Sequence, residues 1–327
     1  MSITQAKVAI ITVTFNCSDF IEDYLISVTP FITQTNNVII IVDNNSSDNS
    51  CDLIKRHIET YKLEDNIIIT SLSENVGFGK GCNKGAEIAR EHQSSHLWFL
   101  NPDTKVLNNS GDALLCLLEQ NPAIHFAGSI LLNENSIPRA GAFRFPSLLN
   151  VFLSNMRLGL LDRAFQASTT AAPIRDSPYE ADWLTGASFM TRAEYFYRLG
   201  GFDPFYFLYF EEVDLFYRAK QLGYSAWACP DSRVFHISGA STGINTQTVS
   251  IRRQPSYWFE SRRHYYINNY GQLYFLLADA VFIIAHTMWG VRATLQKKAL
   301  TTPAHIIKDT LLHGYFRWLP RKKGGRN

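Results

Sequence analysis

The apolar and polar positions of the first hundred residues follow two periods in turn, one typical of buried strands and one typical of helices. Strand-like runs cover 7–16, 37–50, 66–75 and 96–103, and helix-like segments cover 20–32, 50–61 and 78–92. We place the N-cap of the second helix at Ser50. This alternation predicts an α/β fold with a mostly parallel central sheet flanked by helices, and the carboxyl ends of its strands should share one crevice.

The pattern is less regular between residues 133 and 181. Four prolines and the polar run 166–173 predict a long loop or flap there. Regular patterning resumes at 181–224. Within it, the apolar run 205–210 leads into a helix that we expect Gly223 to close.

The composition changes again after about residue 255. The 19 residues of 273–291 contain only Asp279 and His286 as ionisable groups, and a helix needs about 20 residues to span a bilayer. A buried Asp costs roughly 2.5 to 3.5 kcal/mol at the bilayer centre on insertion scales, so lying in the interface or packing on the protein competes with spanning. We favour membrane association over a core helix, and divide the chain into a main domain, 1–250, and a C-terminal helical segment, 251–327.

The net charge of +2 hides an asymmetry along the chain. Residues 292–327 carry nine Lys and Arg and one acidic residue, whereas residues 1–291 carry 22 basic and 28 acidic residues. A basic tail indicates nucleic acid or an anionic membrane as a partner, and the apolar segment before it favours the membrane. The 46% hydrophobic content excludes a disordered chain.

The cysteines and the amino-terminal residues indicate the compartment. The five cysteines are odd in number and lack CxxC or Cys/His ligand spacing, which favours a reducing compartment. Residues 1–16 contain no apolar core of a signal peptide, so we expect no secretory signal.

Two acidic residues follow buried strand-like runs, at the end of the sheet where ligands of α/β proteins bind. Asp43 is placed to accept a hydrogen bond from a nucleotide base or ribose, whereas 44–50 are typical turn and cap residues. Asp103 follows an Asn-Pro pair that ends the strand, because Pro cannot donate to a ladder. Although a lone Asp in a turn is usually structural, Asp103 can also ligate Mg²⁺ or Mn²⁺ together with diphosphate and water.

The glycine-rich stretch ENVGFGKGCNKG, 74–85, lacks the named phosphate-binding motifs. Cys82 stands where GxGxxG requires glycine, and GxxxxGK[ST] has no match. Backbone N–H groups at a glycine-rich helix start can still lie close to a diphosphate.

Three acidic residues, Glu211, Glu212 and Asp214, lie at the start of the predicted helix after the apolar run. The helix dipole favours acids there by about 0.3 to 1 kcal/mol each, which is a structural explanation. Crowding beside aromatic residues would also raise the pKa of the least hydrated acid, and a general base is tuned in this way. His236 follows another apolar run and is either an ordinary core or surface histidine or a second metal ligand.

Seven stretches taken together, in order over residues 7–243, resemble family 2 glycosyltransferases of the GT-A fold, especially the bacterial rhamnosyltransferase-like branch. They are ITVTFN, VDNNSSD, ENVGFGKGCNKG, LNPD, DWLTGASFMTR, GGFDPFYFLYFEEVDLFYR and FHISGAST. The resemblance implies that 1–250 is a GT-A catalytic domain that transfers a sugar with inversion from a nucleotide-diphospho-sugar, with dTDP-rhamnose favoured.

The resemblance also implies roles for individual residues. Asp43 would bind the base or ribose, and the rest of the donor pocket would comprise Thr14, Asn16, Asn75, Gly77 and Asn83. Asp103 stands at the last acid of the DxD-like metal motif, and His236 matches a later histidine that binds metal or diphosphate. The sugar and acceptor pocket would include Asp182, Trp183 and Gly186.

The resemblance places the catalytic base at Glu212, where family members commonly have Asp. Because Glu is one methylene longer, Glu211 stays a candidate, and Asp214 lies in the same cluster. The sequence NPD offers one carboxylate where many members have two, so Mg²⁺ or Mn²⁺ would depend more on His236 and the diphosphate.

The expected acceptor is a glycan or a lipid-linked glycan in cell-surface polysaccharide assembly, with no nucleic acid as partner. We expect a cytoplasmic protein on the inner face of the plasma membrane, in contact with it through 273–327. A nucleotidyltransferase and a non-catalytic nucleotide-sugar-binding membrane scaffold are the alternatives.

Overall fold

The computed structural model of the protein describes residues 7–33, 36–107, 109–156, 170–237, 253–298 and 302–314. The strands are β1 (Val8–Thr14), β2 (Val38–Asp43), β3 (Ile67–Ser71), β4 (His96–Leu100), β5 (Thr104–Val106), β6 (Phe126–Leu132), β7 (Pro138–Arg139), β8 (Ala142–Phe143), β9 (Tyr179–Ala181), β10 (Trp183–Leu184), β11 (Ser188–Arg192) and β12 (Ala226–His236). The helices are α1 (Ile21–Thr33), α2 (Ser50–Tyr61), α3 (Phe78–Glu91), α4 (Ser110–Gln120), α5 (Leu148–Met156), α6 (Ala193–Arg198), α7 (Glu211–Gln221), α8 (Ser256–Tyr270), α9 (Gln272–Leu295) and α10 (Ile306–His313).

The main sheet has the strand order β3-β2-β1-β4-β11-β6-β12-β5, with β7 beside β6 and β9 beside β12. The first four strands of this order pair in parallel, as the alternation of strands and helices predicts. The other half is mixed, because β11 runs antiparallel between β4 and β6. Strands β8 and β10 form a separate pair.

Strand β4 is buried on both faces, which explains its continuous apolar sequence. Successive side chains point to opposite faces of a strand. Trp98 packs edge-on against Phe31 of α1, with ring centroids 5.3 Å apart. On the other face, the ring of Phe99 lies 4.8 Å from those of Phe189 and Phe196. The strand is therefore held rigidly up to the turn that carries Asp103.

The glycines of α3 let this helix approach β1 closely. A Cβ on Gly81 would lie 2.8 Å from a methyl group of Val13, and one on Gly85 would lie 2.5 Å from a methyl group of Ile11. Side chains at these positions would therefore push the helix off the sheet. Part of the glycine-rich signal in 74–85 thus has a packing explanation.

The helices and strands predicted for the first hundred residues are confirmed, with one correction. Ser50 is the first residue of α2 and not its N-cap, a position that Asn49 occupies. The Ser50 hydroxyl instead accepts the backbone N–H of Cys17 at 2.8 Å. The prediction that Gly223 closes a helix is confirmed, since α7 ends at Gln221 and Gly223 has a φ of +78°.

The prediction of a loop or flap over 133–181 is wrong for part of that range. Strands β7, β8 and β9 and helix α5 lie within it. Pro138 begins β7, and the other three prolines of this range lie outside the helices and strands, so none of them interrupts an element. Residues 157–169, which include the first half of the polar run, lie outside the described residues.

The chain divides into two compact units, and the division differs from a cut at residue 250. The first unit comprises 1–144, 171–207 and 211–246, and the second comprises 145–170, 208–210 and 247–327. The second unit gains 145–170 because α5 packs against α9. A contact between segments so far apart in the chain leaves no local sequence signal.

The second unit is helical and has a small apolar core of its own, built on Phe259, Phe282 and Ile306. Asp279 of α9 is buried there and forms an ion pair with Arg262 of α8. Helix α9 is the one helix among the described residues that is long and apolar enough to cross a membrane, a criterion that core helices of soluble proteins also meet.

Candidate active site

The polar residues predicted to bind a nucleotide lie at the carboxyl ends of β1 and β2. Thr14 and Asp43 are paired in register at the last positions of the two strands, and the Thr14 hydroxyl donates to Asp43 Oδ1 at 3.1 Å. The other oxygen of Asp43 accepts the backbone N–H of Ser46 at 3.1 Å. Both bonds hold the buried carboxylate in one orientation at the sheet edge. The structure therefore brings these two predicted residues together.

Asn16 and Asn75 belong to the loops around this edge. Asn16 has a φ of +49°, and its side-chain oxygen accepts the N–H of Ser47 at 2.8 Å. Asn75 accepts a hydrogen bond from the side chain of Asn44 at 2.8 Å and another from the N–H of Gly77 at 3.0 Å. Both asparagines thus link the loop after one strand to the loop after another.

The sequence patterns missed the importance of Asn44, which we grouped with ordinary turn residues. Its buried side chain accepts the N–H of Val76 at 2.9 Å and donates to Asn75 and to the carbonyl of Gly77. Asn44 therefore fixes the loop before α3 next to the end of β2. An amide directly after Asp43 was the available signal, but turn chemistry explained it equally well.

Asp103 and His236, predicted as metal ligands, are neighbours in the structure. Antiparallel pairing of β5 with β12 sets Thr104 opposite His236, and Asp103 Oδ1 lies 3.3 Å from His236 Nε2. Asp103 is buried, and none of the described residues donates a hydrogen bond to this Oδ1. A buried carboxylate oxygen without a donor needs a partner, because burying it unsatisfied is costly.

These two side chains fit a divalent cation that a diphosphate also binds. Within the described ranges, no group of three or more His, Cys, Asp and Glu could hold a metal by itself. Mg²⁺ takes one or two carboxylates from protein and completes its shell with phosphate and water, and Mn²⁺ also accepts imidazole nitrogen. Asp103 and His236 would be the protein ligands of such an ion.

Glu211, which is buried, and Glu212, which is partly buried, begin α7 and form an acidic pair. Burial and the neighbouring carboxylate of Glu212 raise the pKa of Glu211 well above its ordinary value. Burial also raises the pKa of Glu212. Oε2 of Glu211 has no hydrogen-bond partner among the residues that the structure describes. Nearby on α3, burial and these two carboxylates raise the pKa of the Cys82 thiol.

Gly186 positions the carboxylate of Glu212. Its backbone N–H donates to Glu212 Oε1 at 3.1 Å. A Cβ at this position would lie 2.7 Å from that oxygen and 3.0 Å from the ring of Phe78. The absence of a side chain at 186 is therefore a condition for the observed orientation of Glu212.

The glycine-rich start of α3 uses backbone donors within the chain. Gly77 N–H bonds to Asn75, and Phe78 N–H donates to the carbonyl of Phe207 at 3.0 Å. Gly77 has a φ of +90°, and a Cβ there would lie 2.1 Å from the Phe207 carbonyl oxygen. These contacts favour a structural role for Gly77 over direct diphosphate binding.

Three other predicted residues are engaged in contacts that support the fold. The Asn83 side chain donates to the carbonyl of Phe202 and accepts its N–H, at 2.8 and 2.9 Å. Asp214 forms an ion pair with Arg218 at 2.7 Å, and Asp182 forms one with Lys220 at 2.6 Å. These contacts favour positioning roles over direct contact with a ligand.

Trp183 lies in the small β8–β10 sheet. Its ring stacks on that of Phe143, with centroids 4.3 Å apart, and its Nε1–H donates to the carbonyl of Arg144 at 2.9 Å. The side chain is only partly buried. An indole fixed in this way presents a rigid apolar surface.

A half-parallel sheet flanked by helices, with acidic and polar side chains at its strand ends, is the arrangement of the GT-A-type nucleotide-diphospho-sugar transferase fold. The chain belongs to glycosyltransferase family 2, whose family model, described as Glycosyl transferase family 2, matches residues 9–183. Glycosyl transfer is therefore favoured over nucleotidyl transfer or a scaffold without activity.

Two curated relatives are rhamnosyltransferases. An N-acetylglucosaminyl-diphospho-decaprenol L-rhamnosyltransferase of Mycobacterium tuberculosis is 25% identical over 266 residues, which cover 78% of this chain and 84% of the relative. Rhamnosyltransferase WbbL of Escherichia coli K12 is 27% identical over 173 residues, 50% of this chain and 61% of the relative.

Solved structures support the fold. The mannosyltransferase PcManGT of Pyrobaculum calidifontis, in complex with GDP-Man and Mn²⁺, has a TM-score of 0.52 at 13% identity, covering 98% of this chain and 88% of its own. GalNAc-T7 with UDP, GalNAc and Mn²⁺ has a TM-score of 0.52 at 16% identity. This match covers 81% of this chain and 50% of GalNAc-T7.

Proposed function

We propose that this glycosyltransferase moves L-rhamnose, with inversion, from dTDP-rhamnose to a glycan or lipid-linked glycan in cell-surface polysaccharide assembly. The rhamnosyltransferase names of two relatives support the sugar. The name of the mycobacterial relative, which includes a diphospho-decaprenol, supports a lipid-linked acceptor.

The observation that carries the proposal is the contact between Asp103 and His236, 3.3 Å apart, just beyond the end of β4. Strands β2 and β4 flank β1, so their ends lie about 10 Å apart in the sheet. A donor bound along this edge places its base or ribose at Asp43 and its diphosphate near Asp103. Thr14 and Asn16 line the same edge.

Glu212 acts as the general base. It takes the proton of the acceptor hydroxyl as that oxygen attacks the sugar carbon opposite the departing diphosphate. The bond from Gly186 N–H aims one oxygen of the carboxylate, and the raised pKa makes the other a stronger proton acceptor. The partly buried ring of Trp183 forms an apolar wall for the sugar or acceptor.

Asp103 and His236 would hold a divalent cation, Mg²⁺ or Mn²⁺. Such an ion stabilises negative charge on a leaving diphosphate. The two complexes with Mn²⁺ among the structural neighbours agree with this choice of ion.

A lipid-linked acceptor requires the protein to work at a membrane. We infer a cytoplasmic protein that is peripheral to the inner face of the plasma membrane. Nucleotide sugars are cytoplasmic metabolites, and residues 292–327 carry nine basic residues, which favour an anionic membrane surface.

A thermal-shift screen with metal tests donor, cation and site together. The purified protein is heated with dTDP-rhamnose, UDP-glucose, UDP-N-acetylglucosamine or GDP-mannose, each with and without Mn²⁺. A ligand at a hundred times its dissociation constant stabilises the fold by about 2.7 kcal/mol, which is easily measured. We expect a metal-dependent shift that is largest with dTDP-rhamnose.

The variant Asp103→Asn should lose the metal-dependent part of the shift, whereas the matched variant Asp231→Asn, an exposed residue on β12, should keep it. A larger shift with another donor would reject rhamnose and leave glycosyl transfer intact. An unchanged metal response in Asp103→Asn would reject Asp103 as a ligand.

A further inference from the structure

Helix α9 carries a continuous apolar stripe on its exposed side. The six large apolar residues of this stripe have exposed fractions between 46% and 79%, and they are Leu273, Leu277, Ile284, Met288, Val291 and Leu295. Their spacings of three, four or seven residues place them on one helix face. With 1.5 Å per residue, the stripe runs for about 33 Å.

The charged and titratable groups of α9 avoid this stripe along most of its length. Asp279, the one acidic residue in its sequence, is buried against Arg262 of α8. His286 is also buried, and its Nδ1 lies 3.0 Å from the carbonyl oxygen of Phe282. Arg292 donates to the carbonyl of Met156 at 2.8 Å. The exposed face thus offers apolar groups without any carboxylate.

The opposite face of α9 is covered by protein, which argues against a spanning role. It packs on α5 and α8, and α8 contains Glu260, Arg262, Arg263 and His264. Spanning would require these ionisable groups to enter the hydrocarbon layer with α9, where charged side chains are strongly disfavoured. Only one face of α9 is therefore suited to lipid.

Cations follow directly after the stripe. Lys297 and Lys298 are exposed at the end of α9, and the sequence from 292 to 327 has nine basic residues against one acidic. A helix with one apolar face and adjacent Lys and Arg is typical of proteins that lie in the plane of an anionic bilayer.

We propose that α9 docks flat on an anionic lipid surface, with the stripe inserted among the acyl chains and Lys297 and Lys298 bound to headgroups. This proposal rests on the proposed function, because a lipid-linked acceptor is located at such a surface. The positive charge favours an anionic bilayer over a second copy of this chain, whose equivalent surface carries the same positive charge.

Vesicle flotation of the 327-residue chain tests the proposal without any donor or acceptor. The vesicles contain phosphatidylcholine alone or an equimolar mixture with phosphatidylglycerol, at low and high salt. We expect the protein to float with anionic vesicles at low salt, and to bind less to neutral vesicles or at high salt. Alkaline carbonate should release it, as it releases peripheral proteins.

The double variant Leu277→Glu/Ile284→Glu should lower partitioning by about tenfold or more, because it places two charges in the inserted stripe. The matched control Ile26→Glu/Leu222→Glu adds the same charge at two comparably exposed apolar residues of the other unit and should bind like the parent. Thermal unfolding confirms that each variant is folded.

Failure of the parent to float on anionic vesicles would overturn the proposal, as would a stripe variant that floats like the parent. Resistance to carbonate would show spanning, and loss of an oligomer in the stripe variant with unchanged flotation would show an interface between copies. Each result overturns in-plane docking. The proposed donor specificity is tested separately by the thermal-shift screen, so the two proposals can fail independently.

Discussion

At the scale of single residues, the acidic pair at the start of α7 holds the proposed catalytic base. Glu212 bonds to the N–H of Gly186, whereas Glu211 is more deeply buried and has one oxygen without a partner among the described residues. A base must reach substrate, and the carboxylate with the defined orientation is the better candidate. Burial and the Glu212 carboxylate raise the pKa of Glu211, which favours its neutral form.

We expect Glu212→Gln to lower turnover by roughly 10² to 10⁴, the range for a general base, while donor binding persists because the amide keeps the shape of the carboxyl group. Initial rates and thermal shifts with donor measure the two effects. Glu211→Gln, the neighbouring change, should lower turnover much less. The reverse order of the two variants would assign the base to Glu211.

Gly186→Ala should also impair turnover, since the new Cβ meets Oε1 of Glu212 at 2.7 Å and forces the carboxylate to move. A displacement near 1 Å costs about 10²-fold in rate. The measurement is kcat with donor saturating. Gly290→Ala, in a helix where a Cβ meets nothing within 4 Å, is the control and should leave kcat unchanged. Equal rates in the two variants would contradict the role of Gly186.

At the scale of elements, β4 joins the core to the site. Its apolar run packs against α1 on one face and against an aromatic cluster on the other. The turn that carries Asp103 comes directly after this strand. The sequence predicted this strand and its end, because a buried run followed by Asn-Pro has few other solutions. The partner strand β11 was not predictable, since no local pattern specifies antiparallel insertion.

Phe99→Ala should lower the free energy of unfolding by about 3 to 5 kcal/mol, because it leaves a cavity among the rings of Phe189, Phe196 and Phe202. Urea unfolding followed by fluorescence gives the change. Phe205→Ala removes a ring that is 54% exposed and should change stability by about 0.5 kcal/mol or less. A similar loss of unfolding free energy in both variants would show that the buried rings around Phe99 stabilise the fold no more than an exposed ring does.

At the scale of the whole molecule, burial of Glu211 and Glu212 couples the site to the stability of the fold. Their folded-state pKa values lie above the ordinary 4.5. Protonated side chains are thus favoured by folding, and ionisation opposes it. This contribution to stability is fully present below pH 4.5 and is lost as pH rises through the folded-state pKa values.

Glu211→Gln should therefore stabilise the protein at neutral and mildly alkaline pH, by about 1 to 3 kcal/mol, because ionisation of Glu211 stabilises the unfolded parent whereas an amide does not ionise. The gain should vanish below pH 4.5, where the parent carboxyl is protonated in both the folded and the unfolded state. Thermal unfolding across pH measures both. Glu59→Gln, on the exposed side of α2, is the control and should show no such trend. A gain in stability that does not depend on pH would contradict the raised pKa of Glu211.

The sequence by itself determined the alternation of strands and helices, the strand-end positions of Asp43 and Asp103, and the resemblance to glycosyltransferases. These features depend on local periodicity and on short ordered motifs. Only the tertiary structure decided that His236 meets Asp103, that Gly186 holds Glu212, and that α5 joins the C-terminal helices, because each contact links distant segments. It also showed that the side chain of Asn83 bonds to Phe202 and that of Asp214 to Arg218.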